Sequence, residues 1–283
     1  MALSIQAFLE PISSTFSYVI ADTENKKCAV IDSVLDYEIN SARTSTSHAD
    51  EIIEYIQDHQ YHLEWILETH IHADHLSAAT YIKQKLGGKI GVSKHIHSVF
   101  EMFHPVYDLP PATVSQFDYF FEEDEVFELC GHQAMALYVP GHTPADIAFK
   151  VEEHIFVGDT LFATDIGTAR CDFPGGNAYQ LYKSIMKILA FPNSTKIYLC
   201  HDYPPAYRSH EFLSTVDQQK KENIHIKQEV DKTSFVHMRQ QRDSTLSPPQ
   251  LLIYAIQINL AAGKFPPNSQ NGVQYLKIPL NQI

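Results

Sequence analysis

Four separate segments of this chain place histidine or aspartate directly after a run of residues that predicts a β-strand. The first is HIHADH, which starts at His70, and the other three end in His142, Asp159 and His201. Residues two apart in an extended chain project to the same side, so His70 and His72 can converge on one point. Seven candidate ligands at four strand ends are difficult to explain by chance, and they constrain the fold to one that brings these ends together.

The residue types in these segments are those that bind borderline divalent metal ions. Imidazole nitrogen and carboxylate oxygen are suitable ligands, and a glycine before His142 and before Asp159 permits a sharp backbone turn. Asp74 and His75 lie at the predicted start of a helix, from which they can face a second point nearby. Each shorter segment alone has an ordinary interpretation as a turn, a helix cap or a structural histidine. Together the four segments predict a metal site.

Composition narrows the class of partner. The 283 residues include 34 acidic and 21 basic residues, a formal charge of −13, and this field disfavours nucleic acid. No apolar run is long enough to span a membrane, and the first residues lack the features of a secretory or transit signal. Four cysteines without a CxxC pair fit a reducing compartment. We therefore expect a cytoplasmic protein that acts on a small molecule. Its other eleven histidines, His225 among them, are assigned surface or structural roles.

The order of predicted elements indicates an α/β fold. Strand patterns and helical patterns recur in both halves, which implies two sheets packed face to face with helices outside. The predicted strands span residues 5–9, 17–21, 28–32, 64–69, 125–129, 134–139, 146–151, 154–157, 196–200 and 273–278. The predicted helices span residues 47–60, 74–86, 178–190, 211–222 and 248–262. Residues 1–205 are assigned to the main domain, and residues 206–283 to a C-terminal cap packed on it.

The pattern of ligands in these four segments resembles that of the metallo-β-lactamase superfamily, in order from about Ile5 to Tyr203. The resemblance implies an αββα sandwich of two mixed β-sheets with outer helices and a metal site at one edge. It also implies that one metal binds to His70, His72 and His142, a second binds to Asp74, His75 and His201, and Asp159 binds either or both.

The residues beside the ligands are similar to those of bacterial persulfide dioxygenases within that superfamily. The similar segments are HTPAD from His142, GDTLF from Gly158, GTARCDFPGG from Gly167 and HDY from His201. The resemblance implies one Fe(II) held by two histidines and one aspartate, here His70, His142 and Asp159. The remaining candidate ligands then form a second metal site or orient the ligands of the first. They are His72, Asp74, His75 and His201.

The reaction implied by this resemblance is the oxidation of glutathione persulfide by O2 and water to sulfite and glutathione. Arg170 corresponds to an arginine that contacts glutathione, although a salt bridge with Asp172 is its ordinary interpretation. Tyr203 resembles a tyrosine of the same pocket, and packing is its alternative. Asp32 either orients a ligating histidine or caps a turn, and Cys171 is assigned to packing. A homodimer is a family expectation only.

Two other functions remain open at the level of sequence. A glyoxalase II-like thioesterase would use two zinc or iron ions, and every ligand type for a dinuclear site is present. Against it, the segments around residues 144–146 and 170–173 do not resemble that group. A noncatalytic metal-binding module is the remaining alternative, but structural zinc sites are usually rich in cysteine. The sequence also leaves open whether zinc replaces iron.

Overall fold

Two six-stranded sheets face each other in the computed structural model, which describes residues 3–227 and 230–282. The first sheet has the order β1-β2-β3-β6-β8-β9, and the strands of each successive pair are antiparallel up to β3 and parallel thereafter. Its strands are β1 (Leu3–Glu10), β2 (Thr15–Asp22), β3 (Lys27–Ile31), β6 (His62–Leu67), β8 (Lys89–Ser93) and β9 (Tyr119–Phe121). This sheet is therefore mixed.

The second sheet follows chain order and is also mixed, because β13 and β14 are parallel and its other pairs are antiparallel. Its strands are β10 (Glu125–Leu129), β11 (His132–Tyr138), β12 (Ile147–Val151), β13 (His154–Phe156), β14 (Lys196–Tyr198) and β15 (Leu213–Thr215). A small third sheet joins β4 (Val34–Glu38) to β5 (Arg43–Ser45) and β7 (Leu76–Ser77).

Helices cover the outer face of each large sheet. The helices are α1 (Ser47–Asp58), α2 (Ala79–Leu86), α3 (Ile96–Tyr107), α4 (Ala178–Leu189), α5 (Val216–Glu222), α6 (Lys232–Asp243) and α7 (Leu252–Asn259). The cluster outside the first sheet includes residues of α1, α2, α3 and α7, and the cluster outside the second includes residues of α4, α5 and α6. No helix in the described ranges is long and apolar enough to cross a membrane.

Successive side chains of β2 alternate between two hydrophobic layers. Val19 and Ala21 belong to the cluster under the helices, whereas Tyr18 and Ile20 belong to the cluster between the sheets. Successive side chains of a strand point to opposite faces, so a strand buried on both sides needs apolar residues at every position. The predicted sandwich of two mixed sheets with outer helices is confirmed.

The helix predicted to start at Asp74 begins instead at Ala79. The Asn259 amide donates to the carbonyl oxygens of His72 and His75, each at 2.8 Å, and Asn259 Oδ1 accepts from the Ser77 amide. These bonds hold the segment in an irregular conformation in place of helical hydrogen bonds. The prediction was wrong because the responsible partner lies more than 180 residues away in the sequence.

The C-terminal residues form part of the second sheet and of the helical layer that covers it. β15 adds a strand to the second sheet where the sequence predicted a helix from residue 211, and α6, which was not predicted, packs on α4. In the described part of the tail, the strand predicted over residues 273–278 is not formed. The Phe235 ring of α6 lies 5.5 Å from the Tyr182 ring of α4. These contacts fix α6 on the side of the molecule that carries the candidate site.

Candidate metal centre

Three of the predicted ligands converge where β6, β11 and β13 end. The ligand atoms of His70, His142 and Asp159 all lie within 4.8 Å of one another. His142 Nε2 is 3.6 Å from Asp159 Oδ2, and the His70 and His142 rings are nearly perpendicular, at 86°. Two imidazoles and one carboxylate therefore face a common point that a single ion can occupy.

The position of His142 depends on the glycine before it. Gly141 has a φ of +150°, and a Cβ atom there would lie 2.3 Å from the backbone of Leu181 on α4. A side chain cannot be accommodated at that distance. Glycine thus allows the helix to approach the loop that carries the ligand.

A second group lies beside the first. The ligand atoms of His72, Asp74, His75 and His201 lie within 4.8 Å of one another. His201 Nε2 is 3.2 Å from Asp74 Oδ2 and 3.4 Å from Asp159 Oδ1. Asp159 therefore stands between the two groups. His72, which the superfamily resemblance allows to join His70 and His142, belongs here to the second group.

Six buried side-chain atoms of these residues have no hydrogen-bond partner among the described residues. They are His70 Nε2, His72 Nδ1, Asp74 Oδ2, His75 Nε2, Asp159 Oδ1 and His201 Nε2. A buried polar atom without a hydrogen bond costs about 1–3 kcal/mol, so a ligand that bonds to several of these atoms at once would stabilise the site. A divalent cation satisfies nitrogen lone pairs and carboxylate oxygens together. The donor set therefore fits a metal.

Hydrogen bonds on the opposite ring nitrogens set the orientation of the first group. His142 Nδ1 donates to the carbonyl oxygen of Arg170 at 2.8 Å, which leaves Nε2 as the ligand atom. The Thr69 hydroxyl donates to Asp32 at 2.9 Å and accepts from His70 Nδ1 at 3.0 Å. Both histidines are thereby held in the tautomer that a metal requires.

The Thr15 hydroxyl orients two histidines of the second group. Its hydroxyl oxygen lies 3.3 Å from His75 Nδ1 and 3.2 Å from His201 Nδ1, and 2.7 Å from the Ser13 hydroxyl. Both imidazoles can donate to Thr15 while its own hydrogen goes to Ser13, which donates to Glu10 at 2.6 Å. Sequence reasoning missed Thr15, because a threonine in a strand carries no signal of such a role.

Buried carboxylates control the charge of His72. Burial alone would lower its pKa, but the charges and hydrogen bonds of Asp32 and Glu68 raise the pKa of His72 well above its usual value. Burial and the neighbouring histidines instead lower the pKa of His70 well below that value. Glu68 was not predicted as part of the site. It lies four residues before His72, with Oε2 3.5 Å from His72 Nε2, and its position at the end of a buried strand was the available signal.

A cavity of about 730 Å³ opens over both groups and is lined by His142, Asp159, Arg170 and Tyr203, among others. Arg170 forms the salt bridge considered from the sequence: Nε and Nη2 donate to Asp172, and Nη1 donates to the Ser247 carbonyl at 2.7 Å. The Tyr203 ring stacks on His201 at 5.7 Å, and 47% of the residue is exposed. Cys171 is buried, and burial raises the pKa of its thiol, in agreement with a packing role.

Comparison with known proteins places this fold and site in a family. The model of the metallo-beta-lactamase superfamily matches residues 11–201. The chain is 47% identical to "Glyoxylase B2" of Dictyostelium discoideum, over 99% of this chain and 97% of the relative. It is 43% identical to a "Probable metallo-hydrolase" of Burkholderia pseudomallei, over 99% and 100% respectively.

Similarity to persulfide dioxygenases is more distant. The chain is 26% identical to the human mitochondrial persulfide dioxygenase ETHE1, over 92% of this chain and 88% of that protein. The crystal structure of ETHE1 from Myxococcus xanthus has the same fold, with a TM-score of 0.75, 22% identity and coverage of 93% of this chain and 100% of that one. The chain belongs to the metallo-β-lactamase superfamily.

Proposed function

We propose that this chain is an iron-dependent persulfide dioxygenase that oxidises glutathione persulfide with O2 and water to sulfite and glutathione. The observation that carries the proposal is the composition of the first ligand group, which contains His70, His142 and Asp159 without His72. Two histidines and one carboxylate are the facial triad of non-haem iron oxygenases, and three of six octahedral positions remain for substrates.

The contacts of His72 support this assignment. Its Nε2 lies 3.1 Å from Asp32, and its side chain groups with those of Asp74, His75 and His201 although its ring is 4.0 Å from the His70 ring. In a dinuclear hydrolase the same histidine would join His70 and His142. The similarity to ETHE1 and the segment GTARCDFPGG from Gly167 add support from the sequence.

A ferrous ion at the first group would supply the one-electron chemistry with O2 that no amino acid side chain performs. The protein's part is to bind and orient. Thr69 and the Arg170 carbonyl hold the protons of His70 and His142 on Nδ1, so that both Nε2 atoms face the ion. The aromatic rings of Phe162 and Tyr203, 6.1 Å apart, line the cavity beside the centre.

A dinuclear thioesterase is the second candidate, and the second ligand group is the observation that favours it. Four side chains with unpaired atoms can hold a further ion, and Asp159 lies between the two groups. Two ions would activate a bridging water as the nucleophile. The names of the Dictyostelium and Burkholderia relatives, a glyoxylase and a probable metallo-hydrolase, agree with this candidate.

Oxygen uptake by iron-loaded protein separates the two candidates. We expect O2 consumption that depends on glutathione persulfide, release of sulfite, and about one functional iron per chain. His142→Ala should abolish activity, whereas the control His154→Ala removes a buried histidine that is bonded to Tyr198 outside the cavity and should retain activity. Rapid hydrolysis of glutathione thioesters without persulfide-dependent oxygen uptake would reject the dioxygenase.

A further inference from the structure

A network of salt bridges lies next to the second ligand group. Asp202 follows His201 directly in the sequence, and its side chain is fully buried. Arg208 donates from Nη1 and Nη2 to the two carboxylate oxygens of Asp202, at 2.6 and 2.8 Å. A buried carboxylate requires such a partner, because an unpaired charge in the interior is strongly destabilising. The bidentate pair therefore holds Arg208 close to the strand end that carries His201.

The same guanidinium also bonds to a different segment of the chain. Its Nε donates to Asp165 Oδ2 at 2.9 Å, and its Nη2 donates to Asp165 Oδ1 at 2.6 Å. An arginine can bind two carboxylates at once because its planar group presents five N–H donors. Asp165 lies in the loop that follows Asp159. Arg208 therefore joins that loop to residues 202–212.

The two joined segments differ in how they are held. The loop around Asp165 is fixed on the end of α5, because the Gln219 and Asn223 side chains donate to its backbone carbonyl oxygens, each at 2.9 Å. Residues 203–210 form no helix or strand, and Tyr203 and Tyr207 are exposed. Asp165 is therefore the fixed end of the connection, and Arg208 attaches the irregular segment to it.

The irregular segment begins with Tyr203, which lines the cavity over the metal centre. Its ring is nearly parallel to the His201 ring, at 11°, and lies edge-on to the Phe162 ring. Its hydroxyl group has no hydrogen-bond partner within residues 3–227 and 230–282. The position of Tyr203 thus depends on these ring contacts and on the course of the backbone, which the bonds of Arg208 determine.

We propose that Arg208 is a positioning residue of the candidate site, which places Tyr203 in the cavity by joining Asp202 to Asp165. Arg208 does not line the cavity itself, so its effect on the reaction passes through Tyr203. That Tyr203 contacts the substrate rests on the proposed function, whereas the position of its ring does not. Loss of the connection should leave the metal ligands in place and weaken substrate binding.

Asp165→Ala tests the connection without leaving Asp202 unpaired, since Arg208 retains that partner. We expect the KM of persulfide-dependent oxygen uptake to rise about tenfold, with kcat and iron content near those of the wild type. Hydrogen–deuterium exchange of residues 203–212 should become faster. Arg208→Lys keeps the charge but lacks the planar group that binds both carboxylates, so its KM should be intermediate.

The matched control is Asp217→Ala, which removes a carboxylate from a salt bridge with Lys221 on α5. The Asp217 side chain is 38% exposed and that of Asp165 is 35% exposed, so neither replacement should disrupt the fold, and the melting temperature checks this. The control should change neither KM nor the exchange of residues 203–212.

A double-mutant cycle shows whether the effect passes through Tyr203. Tyr203→Ala should raise KM by itself, and Asp165→Ala should have no further effect in that background, whereas the effects of independent sites would add. The proposal would be overturned by an equal fold-change in both backgrounds. Unchanged KM and unchanged exchange in Asp165→Ala would overturn it as well.

Failure of the proposed function is distinguishable from failure of this proposal, because the exchange measurement does not depend on any reaction. If the metal-loaded wild type consumes no O2 and hydrolyses glutathione thioesters instead, the dioxygenase is rejected and the same cycle is measured on hydrolysis. Faster exchange in Asp165→Ala, with coupling to Tyr203 in that reaction, would retain Arg208 as a positioning residue. Exchange at the wild-type rate would reject it whichever reaction the protein catalyses.

Discussion

The Asp32 carboxylate connects both ligand groups, because it accepts a hydrogen bond from His72 Nε2 at 3.1 Å and also holds Thr69. The Thr69 amide and hydroxyl donate to it at 2.8 and 2.9 Å, and the same hydroxyl accepts from His70. One buried side chain thus orients a histidine of each group.

Replacement of this carboxylate tests its role. Asp32→Asn keeps the shape but loses the charge and one acceptor, so we expect metal affinity to fall about 10- to 100-fold. Competition with a chelator measures the affinity. Asp58→Asn, an exposed change at the end of α1, is the control. Unchanged affinity in a folded Asp32→Asn protein would limit Asp32 to a structural role.

Metal counting distinguishes a mononuclear from a dinuclear centre. If the first group alone is required, His75→Ala should keep iron near the wild-type content and should alter activity only through local charge and orientation. His142→Ala removes a direct ligand and should lose both iron and turnover. Elemental analysis and oxygen uptake on the same samples provide the comparison. Two metals per wild-type chain, with complete loss of activity in His75→Ala, would support the dinuclear hydrolase.

The close approach of Gly141 to α4 makes a prediction about stability. Gly141→Ala places a Cβ atom 2.3 Å from the Leu181 backbone, so we expect a loss of about 3 kcal/mol in the free energy of unfolding and weaker metal binding. Gly272→Ala is a matched control, since that glycine also has a positive φ but no atom lies within 4 Å of its Cβ position. Urea denaturation measures both variants, and equal small losses would contradict the packing argument.

Local patterns predicted nine of the twelve strands of the two large sheets, but not β8, β9, β15 or the small third sheet. They also indicated the residues that the structure brings together at the strand ends. The alternation in β2 and the glycines before His142 and Asp159 were visible without the structure. Three features were not visible in the sequence. They are the loop that Asn259 holds, the role of the Thr15 hydroxyl and the part of the cavity lining that α6 contributes. Each depends on a partner at least 60 residues away or on the packing of an amphipathic helix with few apolar residues.

Burial predicts that the four cysteines are unreactive in the folded protein. They are Cys28, Cys130, Cys171 and Cys200. Burial raises the pKa of Cys28 to about 12, and it raises those of the other three as well. The thiols should remain protonated at pH 8, so iodoacetamide should label none of them until urea unfolds the chain. Rapid labelling of Cys171 in the native protein would contradict its assignment as a packing residue.

His225 is bonded to the loop that carries Arg170, and protonation of this histidine should destabilise the fold at acid pH. Its Nδ1 accepts from the Thr168 amide at 3.0 Å, and burial, with the charges of Arg239 and Arg242, lowers the pKa of His225 to about 4. In the unfolded chain the pKa of histidine is about 6.5. Between these values the unfolded state binds more protons, so stability from this residue is present above pH 6.5 and is lost as the pH falls through 4. Because folding lowers the pKa from about 6.5 to about 4, the free energy of unfolding should fall by about 3 kcal/mol between pH 7 and pH 4.

The matched experiment compares the wild type with His225→Asn, whose Oδ1 can accept from the same amide but does not titrate in this range. Urea denaturation of metal-free protein at pH 7 and pH 4 gives the change in unfolding free energy for each. We expect the change to be about 3 kcal/mol smaller in His225→Asn. His237→Asn, an exposed change on α6, is the control and should lose as much stability between pH 7 and pH 4 as the wild type does. An identical loss in all three proteins would show that protonation of His225 does not contribute to acid denaturation.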